Sequence, residues 1–279
     1  MVVVRFMCPV RGRALILLAS LLWTALSGCG GGDALKDQSN PALHFDLVEL
    51  FLSSNAYDAA SPVASKLYHD HPTDPRPSYY LGVILRERGV FEEAERYFLE
   101  AIKRDASFAL AYDALGVLYG MQNQLDRALA AHQRATEIDP NGAKFFHNLG
   151  FALTLSRSYP KAIKAYQKSI TLAPNHKKTY VNLGMTYGVM GQYTEATRMF
   201  KQALSPADVW LNLGLIQERR GELKRAHESF DEALKIQPQL RSAQRGLRRV
   251  ERARKRASVA GGRHTQMPKK RVKDQSLNP

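Results

Sequence analysis

The stretch His69-Asp70-His71 is one place where residue types and spacing could do chemistry, because imidazole and carboxylate groups are common metal ligands. We interpret it as a surface turn rather than a metal site. The sequence contains no HExxH, GxSxG, phosphate-loop or dinucleotide-binding motif. Its two cysteines, Cys8 and Cys29, form no CxxC pair, so neither a disulfide framework nor a zinc site is expected. We therefore predict no enzymatic activity, no metal and no other cofactor.

Cys29 is the second candidate, in this case for covalent modification. Arg5, Arg11 and Arg13 precede the apolar run 14–26, an order that is typical of a secretory signal. That run has 13 residues, whereas a membrane-spanning helix needs about 20. The segment therefore fits the core of a signal peptide better than a permanent span.

The four residues LSGC at 26–29 resemble the lipobox of bacterial lipoproteins. The resemblance implies that residues 1–28 are a lipoprotein signal peptide and that Cys29 carries a lipid that anchors the chain in a membrane. Residues 29–40 would then be a flexible tether. Gly30 follows the cysteine, and in the resembled sorting rule this favours the outer membrane. The alternative is an ordinary secretory signal or an uncleaved anchor, and either would still export the body of the protein.

The formal net charge of +14 is concentrated at the two ends of the chain. Residues 1–28 carry +3 and residues 241–279 carry +11, while residues 29–240 hold 24 basic and 24 acidic side chains. The body therefore has a balanced surface without a broad basic face. Together with the expected export, this argues against nucleic acid as a partner.

An internal repeat is the most informative pattern in the chain. Gly82, Gly116, Gly150 and Gly184 are each 34 residues apart, in segments that align without a gap. If each glycine is position 8 of a repeat, alanine recurs at position 20, proline appears at position 32, and position 24 is aromatic except for His132 in the third repeat. Small residues at positions 8 and 20 allow two antiparallel helices to approach closely, and the large residue at position 24 fills the space beside them. The period therefore predicts stacked helix pairs.

These residues resemble the tetratricopeptide repeat, and the resemblance implies an all-α solenoid, a right-handed superhelix of antiparallel helix pairs. About six repeats are expected in residues 41–240, at 41–74, 75–108, 109–142, 143–176, 177–206 and 207–240. Val48 replaces the glycine in the first repeat, which is common in terminal, capping repeats. The fifth repeat is four residues short, and we expect Ser205 and Pro206 to begin the next helix as its N-cap and first residue.

The basic C-terminal region has two predicted parts. In residues 241–256 small and apolar side chains fall on one helical face with arginines elsewhere, which predicts a capping helix. Residues 257–279 have little apolar content and are predicted to be a basic disordered tail. Anionic groups of the cell envelope are the partners expected for this tail, and a purely solubilising role is the alternative.

A solenoid of this kind has a concave surface lined by the first helix of each repeat, at positions 2, 5, 6, 9, 12 and 13. Asparagine occupies position 6 in three successive repeats, and its amide can both donate hydrogen bonds to an extended backbone and accept them. An alternative for these asparagines is a structural role at neighbouring helix ends. The predicted residues of the peptide- or protein-binding groove are Lys144, His147, Asn148, Phe151, Lys178, Asn182, Met185, Asn212 and Leu215.

An exported lipoprotein built from such repeats resembles the pilotins of type IV pili and the lipoprotein of the tight-adherence pilus system. The resemblance implies a non-enzymatic scaffold, lipid-anchored in the cell envelope at the outer membrane and facing the periplasm. Its partner would be a protein client, a secretin or another envelope protein, which it helps to assemble. One alternative is an adaptor that docks peptidoglycan hydrolases or other envelope enzymes. Another, an enzyme of envelope polymer synthesis, is disfavoured by the missing motifs.

Overall fold

The structure, a computed structural model, describes residues 41–264, with side chains described up to residue 257. This part of the chain forms thirteen α-helices and no strand. They are α1 (Pro41–Ser53), α2 (Tyr57–Asp70), α3 (Pro75–Glu87), α4 (Phe91–Arg104), α5 (Ala109–Met121), α6 (Leu125–Ile138), α7 (Ala143–Leu155), α8 (Tyr159–Leu172), α9 (Lys177–Val189), α10 (Tyr193–Lys201), α11 (Pro206–Arg219), α12 (Leu223–Ile236) and α13 (Arg241–His264).

The first twelve helices form six consecutive pairs. Each helix packs against the helices before and after it in the chain, and each odd-numbered helix also contacts the next odd-numbered one. The odd-numbered helices, called the first helices below, therefore line one continuous face, while the even-numbered second helices lie behind them. The predicted all-α solenoid of about six helix pairs with a C-terminal helix is confirmed.

Glycine at position 8 is required by the aromatic ring at position 24 of the same repeat. A Cβ on Gly82 would lie 2.5 Å from Cε1 of Phe98, and one on Gly184 would lie 2.6 Å from Cδ1 of Phe200. Both rings are completely buried, and burying a side chain of this size contributes roughly 1.5–3 kcal/mol. The ring rests directly on the helix backbone, and this contact holds the two helices of a pair together.

In the first repeat the larger side chain is at position 8 and the smaller one at position 24, the reverse of the other repeats. Val48 takes the place of the glycine at position 8, and Ala64 takes the place of the aromatic residue at position 24. Both side chains are completely buried in one core cluster. The total side-chain volume stays within what a closed helix pair accepts, so this terminal repeat packs like the others.

The turn inside each repeat depends on one residue with positive φ at position 15. These residues are Asn55, Gly89, Asn123, Arg157, Gly191 and Gly221. In every case the next residue donates its N–H to the carbonyl five residues earlier, as Val90 does to Leu85 and Ser158 to Leu153. This is the hydrogen bond of a helix ended by a left-handed residue. Arg157 has a steric strain in this left-handed conformation that glycine would not have.

The short fifth repeat loses its residues from the end of its second helix. Helix α10 has nine residues, whereas the other second helices have 14. Ala196 and Phe200 nevertheless remain fully buried, so the inter-helix contact is kept. Ser205 caps α11 by accepting a hydrogen bond from the N–H of Asp208, which confirms the predicted start of that helix.

Helix α13 closes the array. Gly246 lies so close to the ring of Phe230 that an added Cβ would be 2.5 Å from Cζ, and Ala243 and Val250 are buried beside it. The helix continues to His264, so its predicted end at residue 256 is corrected and residues 257–264 do not belong to an irregular tail. Once a helix is nucleated, each further residue adds a backbone hydrogen bond, and this extends the helix past its packed part.

Candidate functional site

A buried carboxylate organises the middle of the first-helix face. Asp113, at position 5 of α5, is 1% exposed. Its Oδ1 lies 3.0 Å from Nδ1 of His132, the residue that replaces the aromatic at position 24. The amide of Asn148 in the next repeat donates to Oδ1 at 2.8 Å and to Oδ2 at 3.0 Å. Nζ of Lys144 lies 3.3 Å from Oδ2.

The charge of Asp113 is maintained by these neighbours. Burial alone raises the pKa of the Asp113 carboxyl, but the hydrogen bond with His132, the charge of Lys144 and the amide of Asn148 outweigh burial and lower that pKa below its ordinary value. The group is therefore an anion at neutral pH. Its bond to Asn148 joins the third repeat to the fourth, which gives this asparagine a structural partner.

His147 occupies the same position in the next repeat, and its environment keeps it uncharged. Nδ1 of His147 lies 2.9 Å from Oγ1 of Thr179, and the ring meets that of His176 edge-on at 5.0 Å between centroids. Burial, with smaller contributions from His176 and Lys178, lowers the pKa of His147 to about 4. At neutral pH the imidazole is therefore neutral. Nδ2 of Asn182 lies 3.4 Å from its Nε2, a long contact that again joins two repeats.

Asn212, the third predicted asparagine, differs from the other two. Its amide donates to the backbone carbonyl of Asp208 in its own helix at 2.8 Å. The residue at position 5 of the preceding repeat is here Val181, which offers no acceptor. The three asparagines therefore do not form one uniform ladder of amides, because each depends on what the previous repeat places at position 5. Their contact with a bound segment stays a prediction.

The other predicted groove residues divide by exposure. Lys144, Lys178 and Phe151 are exposed on the first-helix face. Met185 and Leu215 are only partly exposed, and they pack against the core clusters around Phe200 and Phe230 respectively. Of the three apolar contacts predicted at position 9, Phe151 is the one most available to a partner.

Apolar residues at position 13 also lie on this face, although they were not among the predicted groove residues. Met121, Leu155 and Val189 follow one another in three successive repeats, at the ends of α5, α7 and α9, and are 51%, 48% and 39% exposed. With Phe151, which is 48% exposed, we call these four residues the apolar patch. Position 13 belongs to the face that the repeat pattern assigns to binding, so the recurrence of large apolar residues there was the signal.

Charge and apolar surface lie at opposite ends of the same helices. Lys144 and Lys178 are at position 2, in the first turn, and the side chains at position 13 are about 16 Å further along the helix. Such a face suits a bound segment with apolar side chains along one edge and acidic groups along the other.

Several predictions concern other parts of the chain. Cys29, the signal peptide 1–28, the tether 29–40 and residues 265–279 lie outside the described residues. In residues 41–264 no group of three or more His, Cys, Asp or Glu side chains is arranged to hold a metal ion. His69 and Asp70 are the last residues of α2 rather than part of a turn, and Asp70 pairs with Lys66 at 2.6 Å. No helix in that same range combines the length and the apolar character needed to cross a membrane.

Known structures share this fold. PilW, described as a widely conserved type IV pilus biogenesis factor, matches with a TM-score of 0.62 and 18% identity over 74% of this chain and 98% of its own. Pseudomonas aeruginosa PilF matches with a TM-score of 0.59 and 15% identity over 74% of this chain and 95% of its own. YrrB, described as a TPR protein with an unusual peptide-binding site, matches with a TM-score of 0.52 and 23% identity over 65% and 96%. At these identities the similarity concerns the fold alone. Among curated proteins none matches the sequence.

Models of the tetratricopeptide repeat match most of the described chain. They cover residues 45–109 and 79–143, 143–205, and 207–240. Together these matches include more than half of the 279 residues. Such repeats form scaffolds that bind peptide or protein partners, in agreement with the exposed first-helix face. The chain belongs to the tetratricopeptide-repeat family.

Proposed function

We propose that this protein is a lipid-anchored, non-enzymatic scaffold of the cell envelope, which binds a protein client on its first-helix face and assists assembly of a secretin or pilus at the outer membrane. The observation that carries the proposal is the apolar patch of Met121, Phe151, Leu155 and Val189. Large apolar side chains exposed together in successive repeats are characteristic of an interaction surface.

The pilus part of the proposal is supported by architecture. PilW, a type IV pilus biogenesis factor by its description, is similar in fold to this chain over 98% of its own length. The proposal covers both type IV and tight-adherence pilus systems. This support is an analogy between folds, so the client has to be identified by experiment.

The proposed anchor supplies a physical reason for assembly at a membrane. A lipid on Cys29 and the predicted tether of residues 30–40 would hold the first repeat at an r.m.s. distance of roughly 18–20 Å from the bilayer. A client bound to the repeats would then be confined to the same thin layer as the membrane into which it assembles. Confinement raises its effective concentration there.

The decisive experiment removes the apolar patch and compares it with a matched surface change. Phe151→Ser with Leu155→Ser removes two side chains that are each 48% exposed on a first helix. The control, Leu99→Ser with Ile236→Ser, removes two side chains that are also each 48% exposed, on second helices. Truncation of central interface residues costs upward of about 1 kcal/mol each, so recovery of the client should fall at least about tenfold for the patch variant only.

The readout is the identity and amount of protein crosslinked to the chain in intact envelopes. A secretin that is recovered with the wild-type and control proteins but lost from the patch variant supports the proposal. A peptidoglycan hydrolase recovered in its place supports the adaptor alternative. Equal recovery with all three proteins means that the client binds elsewhere.

The anchor is tested separately. Cys29→Ser removes the thiol that would be acylated, and the chain should move from the membrane fraction to the soluble periplasmic fraction. Metabolic labelling with a fatty acid analogue should mark the wild-type chain and not the variant. A Cys29→Ser chain that takes up as much labelled fatty acid as the wild type contradicts lipid anchoring through this residue.

A further inference from the structure

Helix α13 exposes a line of arginines on one face. Arg241, Arg245, Arg248, Arg252 and Arg256 follow one another at intervals of four, three, four and four residues, and all five are exposed. At 100° per residue these spacings keep the five side chains within an arc of about 80°. The line extends about 22 Å along the helix. We call these five residues the arginine stripe.

The charge of the stripe is not neutralised by neighbouring acids in the described structure. Arg249, just outside the stripe, pairs with Glu218 of α11 at 2.6 Å. The acid of α13 itself, Glu251, lies 3.8 Å from Nε2 of His227. Within residues 41–257, no ion pair involves an arginine of the stripe. Residues 241–257 hold eight basic side chains and one acidic side chain, so the field around this helix is strongly positive.

The face opposite the stripe is already used for packing. Ala243, Gly246 and Val250 are buried against α12, where Phe230 fills the space beside Gly246. The helix therefore cannot insert an apolar face into a partner without leaving the solenoid. Whatever binds the stripe has to be held by charge and hydrogen bonds at a surface.

We propose that the arginine stripe is a docking surface for an anionic phospholipid bilayer. A straight row of cations on one helix face can reach a flat sheet of phosphates with all its members at once. The guanidinium group binds phosphate oxygens through two parallel N–H donors. Clusters of four to eight basic residues on a helix at a membrane surface are sufficient for binding to anionic lipids.

Nucleic acid and acidic protein fit the observations less well. Residues 241–257 contain no aromatic side chain on which a base could stack. In residues 41–240 basic and acidic side chains are nearly equal in number, so the array as a whole adds little net positive charge for a nucleic acid. A protein partner would need apolar contacts at the centre of its interface, and the stripe itself has none.

The expected strength follows from the number of arginines. Each basic residue near an anionic bilayer changes the binding constant about fivefold. Arg245→Gln with Arg248→Gln should therefore weaken docking about 30-fold. Glutamine keeps a high helix propensity, so α13 should remain helical. The control is Arg96→Gln with Arg134→Gln, which removes the same charge from exposed arginines of α4 and α6.

The test measures the distance between α13 and the lipid surface in the full chain. Ala257→Cys is labelled with a fluorescence donor in a Cys8→Ser, Cys29→Ser background, so that the label is unique. Energy transfer to acceptor lipids is compared in vesicles of phosphatidylcholine alone and in vesicles with added phosphatidylglycerol. Transfer should rise on the anionic vesicles and fall again between 50 and 500 mM salt as the charges are screened.

Each outcome decides the proposal. A rise with the wild-type and control chains that is lost with the stripe variant supports it. Equal transfer on both kinds of vesicle overturns it, and so does an equal loss in the stripe and control variants. A DNA duplex or polyglutamate is also added as a competitor. If either one displaces the chain from anionic vesicles at a concentration below the lipid concentration needed for binding, the partner of the stripe is a nucleic acid or an acidic protein. The apolar patch is intact in all these chains, so failure here is independent of the proposed client binding.

Discussion

His147 should make the stability of the array depend on pH between about 7 and 4. Its pKa is lowered from 6.5 to about 4 in the folded chain, chiefly because burial disfavours the imidazolium. In the unfolded chain the same imidazole takes up a proton near its ordinary pKa. Protons therefore bind the unfolded state more strongly, so the stabilisation from neutral His147 is complete above pH 6.5 and is lost as the pH falls to about 4.

The size of the effect follows from the shift in pKa. A lowering of about 2.5 units corresponds to roughly 3 kcal/mol, since each unit is worth 1.36 kcal/mol. The variant His147→Asn keeps a polar atom in reach of Thr179 but removes the titrating group. Its free energy of unfolding should be lower than that of the wild type at pH 7. The difference between the two should then shrink by roughly 3 kcal/mol towards pH 4.

Urea unfolding followed by far-ultraviolet circular dichroism from pH 7.5 to pH 4 measures this difference, with a nearest-neighbour model for the repeats. Titrating groups that do not interact with His147 contribute equally to both chains and cancel. The control is Thr179→Val, which removes the hydroxyl 2.9 Å from His147 but keeps the buried imidazole. It should destabilise the array and still show the wild-type pH dependence. Parallel curves for the wild type and His147→Asn over this range would refute the reasoning.

The remaining predictions concern backbone geometry and use the same unfolding assay. Gly150→Ala places a Cβ 2.8 Å from the ring of Tyr166 and should cost about 1–3 kcal/mol. At Gly120 an added Cβ would have no contact within 4 Å outside its own helix backbone and chain neighbours, so Gly120→Ala should instead stabilise α5 by up to about 1 kcal/mol. Arg157→Gly removes a side chain at a φ of +60° and should stabilise the turn by about 0.5–1 kcal/mol. Gly89→Ala, at a φ of +79° with open space around it, should destabilise by about 1 kcal/mol. If Gly150→Ala and Gly120→Ala changed the free energy of unfolding in the same direction, packing would not control these two sites. If Arg157→Gly and Gly89→Ala did so, turn conformation would not control theirs.

Much of the fold could be predicted because the repeat is a local unit. The small residue at position 8 and the large residue at position 24 are 16 positions apart, as Gly82 and Phe98 are, and they meet within one helix pair. The same holds for Ser205 and Asp208, whose capping bond spans three residues. Interactions of this range leave a regular pattern in the sequence, and 34-residue spacing repeats that pattern.

The candidate site was less predictable because its contacts cross between repeats. Asn148 and Asn182 have the same position and residue type, yet one meets the carboxylate of Asp113 and the other meets the ring of His147, each 35 residues away. Asn212 contacts neither kind of group, and its amide donates to a backbone carbonyl of its own helix. The position of an asparagine in its repeat therefore does not determine which residue of the preceding repeat it contacts.

The sequence by itself determined the helix pairs, their number and the first-helix face, since these depend on side-chain size at fixed spacing. Only the tertiary structure decided which side chains on that face are occupied by neighbouring repeats and which remain exposed. Asp113 is buried and holds Asn148, while Leu155 is left at the surface. The physical reason is that exposure depends on how closely successive first helices pack, and that distance is set jointly by residues from two repeats.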